Sequence, residues 1–255
     1  MYRMLRVEGK KTVQSVTLWV IFGVMLAISF LYSKAAFAKF PEVLHGYGIK
    51  SAGEDMSRGE YVFLRTMGDA SFTAWMSIIA GALLIGFDFQ NRTINNLIYS
   101  GNRRGSILFV KLLYFYLCAI ILSALFPITA CLIYSTKWLS SLTRDDASYV
   151  WRCIACRSLT DMAMMSFPLI MVFIFRDIIR SLIASLIITV ALALFLGVLN
   201  GKGFILEYFP ARAIKAVMQR DASAETIKNS LLYSAVMVVI TCASCYLLFR
   251  KADLE

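Results

Sequence analysis

Long apolar runs constrain the fold of this chain more than any other feature, because several approach the length that a helix needs to cross a bilayer, about 20 residues. Of the 255 residues, 59% are hydrophobic and only 16% are charged, whereas soluble proteins carry about 25% charged residues. The sequence therefore predicts an all-α membrane protein with a single transmembrane domain, residues 1–255. Its six transmembrane helices are predicted at about 16–37, 70–87, 106–134, 158–175, 181–199 and 229–249.

Two segments outside the apolar runs carry helical patterns of their own. Residues 1–15 mix basic and apolar side chains, which is typical of a short helix on an anionic membrane face, although a frayed basic leader has the same composition. In residues 200–228, apolar residues recur at helical spacing after Pro210. This pattern predicts an outer helical element between the fifth and sixth spans, with an amphipathic loop helix on lipid headgroups as the alternative.

The net charge of +10 belongs to loops that flank the apolar runs. Topology and lipid headgroups account for it there, so membrane lipid is an expected partner and nucleic acid is not. Lysine and arginine are denser per residue in the termini and in the loops after the second and fourth spans than in the other loops. Because positive charge marks the inner side, the sequence predicts a multi-pass plasma-membrane protein with both termini in the cytoplasm.

The six cysteines include two Cys-x-x-Cys pairs. The pair near the C terminus falls inside an apolar run, where cysteine acts as a small packing residue. Cys153 and Cys156 fall in residues 135–157, which are predicted to form a polar outer loop. A disulfide within one helical turn is poorly placed, so whether either residue forms a bridge, for instance with Cys131, stays open.

Motifs for catalysis and for nucleotide or metal binding are missing from the sequence. Residues 197–203 are one residue short of a phosphate-binding loop and have Gly203 where that loop has Ser or Thr. His45 is the single histidine, which argues against a hydrolase or metalloprotease site. We therefore expect that the chain is not an enzyme and holds no cofactor or metal of its own.

Ionisable residues are predicted to avoid the middle of the spans. Asp88 and Lys111 fall at the inner ends of the second and third spans, and Asp161 falls near the outer end of the fourth. A long side chain such as that of Lys111 snorkels to the interface from such a position. Because a proton relay needs an acid or base within the membrane, proton-driven transport is not favoured.

A polar segment, residues 86–111, interrupts the apolar runs between the second and third spans. Placed on a helix, its amide and apolar side chains fall on separate sides, and its arginines can pair with acidic side chains or lipid phosphate. This pattern predicts a surface that receives work from another protein, although a solvated loop without a partner has the same residues. The side chains concerned are the amides Asn91, Asn95 and Asn96, the apolar Ile94, Leu97 and Ile98, and the basic Arg92, Arg103 and Arg104.

The same segment resembles the ABC-type-2 permease family. The shared pattern is a glycine-containing span end, an acid, Arg-Thr-Ile, a small residue with glycine, a basic pair and a lysine. It departs from many relatives at Asp88, where they have Glu, and near Ser100, where they often have Pro. The matching residues are Gly86, Asp88, Arg92, Thr93, Ile94, Leu97, Ser100, Gly101, Arg103, Ile107 and Lys111.

The resemblance implies a transport permease that works with a separate ABC ATP-binding subunit, which binds ATP and Mg²⁺. It also implies a dimer of six-span halves, with a second permease copy or a homologue, and a cytoplasmic coupling helix between the second and third spans that docks on the ATPase. The coupling interface would then consist of Asp88, Asn91, Arg92, Ile94, Asn95, Asn96, Leu97, Arg103 and Arg104.

The expected function is ATP-driven export of a hydrophobic or amphipathic substrate, such as an antimicrobial peptide or a drug, because no charged residue is predicted to line the spans. The alternative is a non-transporting membrane sensor or assembly factor that binds ligand through its outer loops, residues 38–69 and 200–228. A membrane-embedded enzyme is a third class, but no recognisable site supports it.

Overall fold

All regular structure in the described part of the chain is helical, as the sequence predicts. The computed structural model describes residues 2–38, 60, 63–64, 66–67, 71–134, 140–141, 143–198, 214, 217–220 and 222–250. The helices are α1 (Tyr2–Gln14), α2 (Val16–Ala38), α3 (Ser71–Gly81), α4 (Phe87–Gln90), α5 (Thr93–Tyr99), α6 (Arg104–Tyr134), α7 (Arg144–Phe175), α8 (Ile178–Val198) and α9 (Ala224–Arg250), with a π-helical turn, Ala82–Gly86, between α3 and α4.

Within the described ranges, α6, α7 and α9 are each long and apolar enough to cross a membrane. A fourth span results if α1 and α2, which meet at a bend of 54°, are counted together. The predicted spans 106–134, 158–175 and 229–249 are thus confirmed as apolar helices long enough to cross a membrane, which is consistent with a membrane protein. The predicted spans 70–87 and 181–199 correspond to shorter apolar segments, Ile78–Gln90 and Ile178–Leu192.

Helix α7 corrects the predicted outer loop 135–157, because it begins at Arg144 rather than near residue 158. Thr143 caps its first turn: the backbone N–H of Asp146 donates to the Thr143 hydroxyl over 3.3 Å, and the Asp146 carboxylate accepts from the Thr143 backbone N–H. Cys153 and Cys156 are consequently helical, and both are buried free thiols. The sequence predicted a loop here because the first part of this helix has low hydropathy.

Helix α7 is the central helix of the described part, packing against α3, α6, α8 and α9. Near its C-terminal end, the ring of Phe89 meets Phe173 edge to face with centroids 5.5 Å apart, and Phe249 meets Phe173 at 6.1 Å. These rings connect α4, α7 and α9 in one buried cluster that also contains Ile94. The end of the bundle that carries α5 is therefore joined to the long helices by a packed core.

Two predicted outer segments lie mainly outside the described residues. They are the loop 38–69 and the helical element 200–228. Of the second, residues 214, 217–220 and 222–228 are described, and α9 begins within it at Ala224 rather than near residue 229. Ile214 and Met218 are buried beside Tyr149 of α7.

Candidate functional site

Residues 87–104 form two short helices and two hydrogen-bonded turns. Arg92 has a left-handed backbone with φ 55° between α4 and α5, and Gly101 has φ 84° after α5. The side-chain amide of Asn102 donates to the carbonyl of Leu97 over 3.0 Å, which closes the second turn. Non-glycine residues rarely adopt the left-handed region, so the conformation at Arg92 is maintained by its surroundings. Residues 87–104 are therefore an ordered structure with a defined exposed side.

The structure separates the predicted site residues by exposure. Ile94 is buried, and Leu97 packs partly buried against the same core cluster. Arg104 is half-buried and donates to the backbone carbonyl of Arg250 over 3.1 Å, which ties the start of α6 to the end of α9. The exposed members are Asn91, Arg92, Asn96 and Arg103, and Asn95 is half-buried.

Tyr99 is a candidate site residue that the sequence analysis did not select. It ends α5, and 78% of its surface is exposed. Exposed tyrosine is common at the centre of protein interfaces, where its ring supplies contact area at low entropic cost. Its sequence signal, an aromatic residue at the edge of a polar segment, also fits a buried residue, so only its exposure in the structure identifies it.

Asp88 lies inside the protein, away from the exposed members of the segment. One of its carboxylate oxygens pairs with Lys11 of α1 and the other with Lys111 of α6. Lys111 also pairs with Glu8 of α1. These four residues, the charge cluster, alternate in sign and hold α1 against α4 and α6. The buried carboxylate is compensated by its cations, as a buried charge must be.

The charge cluster corrects the prediction that Lys111 snorkels to the interface. Its side chain is 4% exposed, because Asp88 and Glu8 supply closer partners inside the fold. The N-terminal residues form helix α1, which packs against α6, so the alternative of a frayed basic leader is wrong. Tyr114 adds a hydrogen bond of 2.8 Å to the carbonyl of Leu5.

A second buried ion pair lies within α7, where the sequence predicts the outer end of the fourth span. Arg157 donates through Nε to Asp161 over 2.6 Å, and the hydroxyl of Ser123 donates to the same carboxylate over 2.7 Å. Arg157 also donates to the backbone carbonyls of Thr66 and Met67. Because α7 begins earlier than predicted, this pair lies near the middle of a 32-residue helix. Its partners make the burial tolerable.

No protein-family model matches the chain, and no curated protein matches it. Among the described residues, no three His, Cys, Asp or Glu side chains are grouped so that they could hold a metal ion.

Proposed function

We propose that this chain is the membrane permease subunit of an ATP-driven ABC exporter. A separate ATP-binding subunit, which carries ATP and Mg²⁺, docks on the coupling surface, defined as Asn91, Arg92, Asn96, Tyr99 and Arg103. The observation that carries the proposal is that these side chains are exposed together on one ordered element at the end of the long helices. Exposed amide, arginine and tyrosine side chains are well suited to a protein partner.

The packing of α5 supports a role in transmitting force. Ile94, on the inner side of α5, is 1% exposed and belongs to the core cluster that includes Phe173 of α7 and Phe249 of α9. Because a close-packed core deforms little, a partner that pulls on the coupling surface moves α7 and α9 with it. Closure of two ATPases would in this way tilt the long helices and open the cargo path to the other side of the membrane.

The proposal includes a bacterial plasma-membrane location with both termini in the cytoplasm. Contacts at the α5 end support it, since α1 reaches Asp88 through Lys11 and the end of α9 reaches Arg104 through Arg250. Both ends of the described chain thus adjoin the coupling surface.

A second copy or a homologue completes the exporter in this proposal. In α9, only 17% of the most apolar stretch is buried within the chain, which leaves an apolar face for lipid or for the second half. The cargo is a hydrophobic or amphipathic compound, such as an antimicrobial peptide or a drug. The apolar faces of the helices are compatible with such a cargo.

Co-purification tests the proposal directly. The full chain is expressed with candidate ATP-binding subunits, and ATPase association and ATP hydrolysis are measured for the unchanged chain and for Arg92→Glu and Asn96→Asp. Both variants should weaken association about tenfold, which corresponds to ~1.4 kcal/mol for a central interface contact. Lys228→Glu is the matched control, because Lys228 is an exposed cation at the opposite end of α9.

Arg92→Gly distinguishes the side chain from the backbone. Glycine accepts the left-handed conformation without strain, so this variant keeps the turn and removes the arginine side chain. We expect weaker ATPase association with unimpaired folding. If no ATP-binding subunit is recruited and all three coupling-surface variants behave like Lys228→Glu, the exporter proposal is wrong, and the sensor or assembly-factor alternative gains support.

A further inference from the structure

A half-open cavity that the exporter proposal does not use lies at the bend between α1 and α2. It has a volume of about 650 Å³ and lies between α1, the start of α2, the π-helical turn and α6. Sites for small molecules commonly have volumes of about 300–1,000 Å³. The cavity is therefore large enough for the headgroup and the upper part of a lipid chain.

The ionisable residues that line the cavity carry an excess of positive charge. They are three lysines and two carboxylates. The carboxylates of Glu8 and Asp88 already pair with Lys11 and Lys111 in the charge cluster. Lys10 is thus the cation in excess among these five groups. The ionisable groups that line the cavity are Glu8, Lys10, Lys11, Asp88 and Lys111, and the hydroxyl groups of Thr12 and Ser15 adjoin them.

The cavity is also lined by apolar side chains. They include Leu83, Leu84, Phe87 and Phe115, and 52% of the surface of Phe87 is exposed. A small inorganic anion would contact only the polar residues and would leave these apolar side chains in contact with water. The lining therefore fits a ligand that has an anionic group at one end and a hydrocarbon chain at the other.

The residues beside the cavity are of the kind found at a membrane interface. Trp19, one turn into α2, is 59% exposed and donates its indole N–H to the carbonyl of Val13 over 2.8 Å. Exposed tryptophan is typical of the membrane interface. Helix α1 also exposes Val7 and Val13 beside its lysines, as interfacial helices do.

We infer that this cavity binds one anionic phospholipid, whose phosphate group contacts Lys10 and Lys11 and whose acyl chain lies along Leu84 and Phe87. The bound lipid would brace α1 against the π-helical turn and α6. The inference requires only that the chain resides in a membrane. It is independent of the exporter proposal, and its test involves no ATP-binding subunit.

Native mass spectrometry of the purified full chain in a non-ionic detergent tests the lipid site. The protein is titrated with phosphatidylglycerol, with phosphatidylcholine of the same acyl chains, and with glycerol phosphate. We expect a one-to-one complex with phosphatidylglycerol that is at least fivefold tighter than the complex with phosphatidylcholine, and no competition from millimolar glycerol phosphate. One lysine near anionic lipid contributes about 1 kcal/mol, which corresponds to a factor of about five.

Two matched pairs of variants locate the binding. Lys10→Gln should weaken phosphatidylglycerol binding about fivefold, whereas Arg6→Gln, an exposed cation on the same helix but outside the cavity, should not change it. Phe87→Ala should weaken binding of both lipids, whereas Phe109→Ala, similarly exposed on α6 but outside the cavity, should not. All four substitutions are at exposed positions, which favours normal folding.

Three results would overturn the inference. Equal losses for Lys10→Gln and Arg6→Gln would indicate a nonspecific charged surface. Equal affinity for the two lipids would show that the anionic headgroup is not recognised. Competition by glycerol phosphate at the lipid's own concentration would identify a site for free phosphate esters rather than for a lipid.

Discussion

At the scale of single residues, the charge cluster shows why Asp88 is buried, although the sequence assigned it to the coupling interface. Asp88 has two cationic partners from different helices, and its carboxylate is almost completely removed from solvent. The two pairs differ in environment, since the Lys111 side chain is 4% exposed and that of Lys11 is 47% exposed. Solvent screens the second pair more strongly than the first, so the stabilisation lies mainly between Asp88 and Lys111.

Asp88→Asn should therefore destabilise the protein far more than Lys11→Gln. The first change leaves Lys111 buried with one carboxylate instead of two, and removing a partner from a buried pair costs about 3 kcal/mol. The second removes a half-exposed partner, for which the loss is under about 1 kcal/mol. Thermal unfolding in detergent measures the loss of stability in both variants. Equal decreases in Tm would show that burial of the Asp88–Lys111 pair does not contribute to stability.

At the scale of elements, α1 is held against α6 by close approach as well as by charge. A Cβ atom on Gly9 would lie 2.5 Å from the hydroxyl oxygen of Tyr114, a distance that van der Waals contact forbids. That hydroxyl donates to the carbonyl of Leu5. Glycine at this position thus permits the hydrogen bond between the two helices.

Gly9→Ala should loosen α1 by displacing the Tyr114 hydroxyl and breaking its hydrogen bond, at a cost of about 1 kcal/mol. Trypsin cleavage at Lys10 and Lys11 reports the loosening and should accelerate. In the Tyr114→Phe background the bond is already absent, so adding Gly9→Ala should have little further effect. Additive effects of the two changes would contradict this account.

At the scale of the whole molecule, the buried Arg157–Asp161 pair and the buried cysteine thiols show how tightly the long helices pack. The ion pair joins α7 to α6 through Ser123 and to residues 66–67 through their carbonyls. All six cysteines are free, and Cys242 alone among them is only partly buried. The packing therefore protects cysteines throughout the described bundle.

Maleimide labelling of the folded protein should accordingly be slow at five positions. We expect Cys242 to react first, because access to the other five thiols requires opening of the helix packing. Unfolding in sodium dodecyl sulfate should expose all six. The readout is intact mass with peptide mapping, and rapid labelling of Cys153 in the native protein would show that the start of α7 is open.

Some of the candidate site was predictable because it depends on local pattern. The separation of amide from apolar residues in 86–111 predicted that Ile94 and Asn96 fall on different sides of a helix, since a helix imposes that separation on any amphipathic stretch. The sequence assigned both residues to the coupling interface, and only the structure shows that Ile94 is buried and Asn96 exposed. The inward position of Asp88 was not predictable, because its lysine partners come from α1 and α6. Tyr99 was missed for a related reason: exposure depends on which neighbours cover a residue.

The sequence by itself determined that this is an all-helical membrane protein, because hydropathy and helical periodicity are properties of neighbouring residues. It also determined the polar interruption at 86–111 between apolar helices. Only the tertiary structure decided which charges are internal, where α7 begins, and that a cavity lies at the bend after α1. Ion pairs such as Lys11–Asp88, 77 residues apart in the chain, have no signature in local pattern, since their energy depends on distances that folding alone establishes.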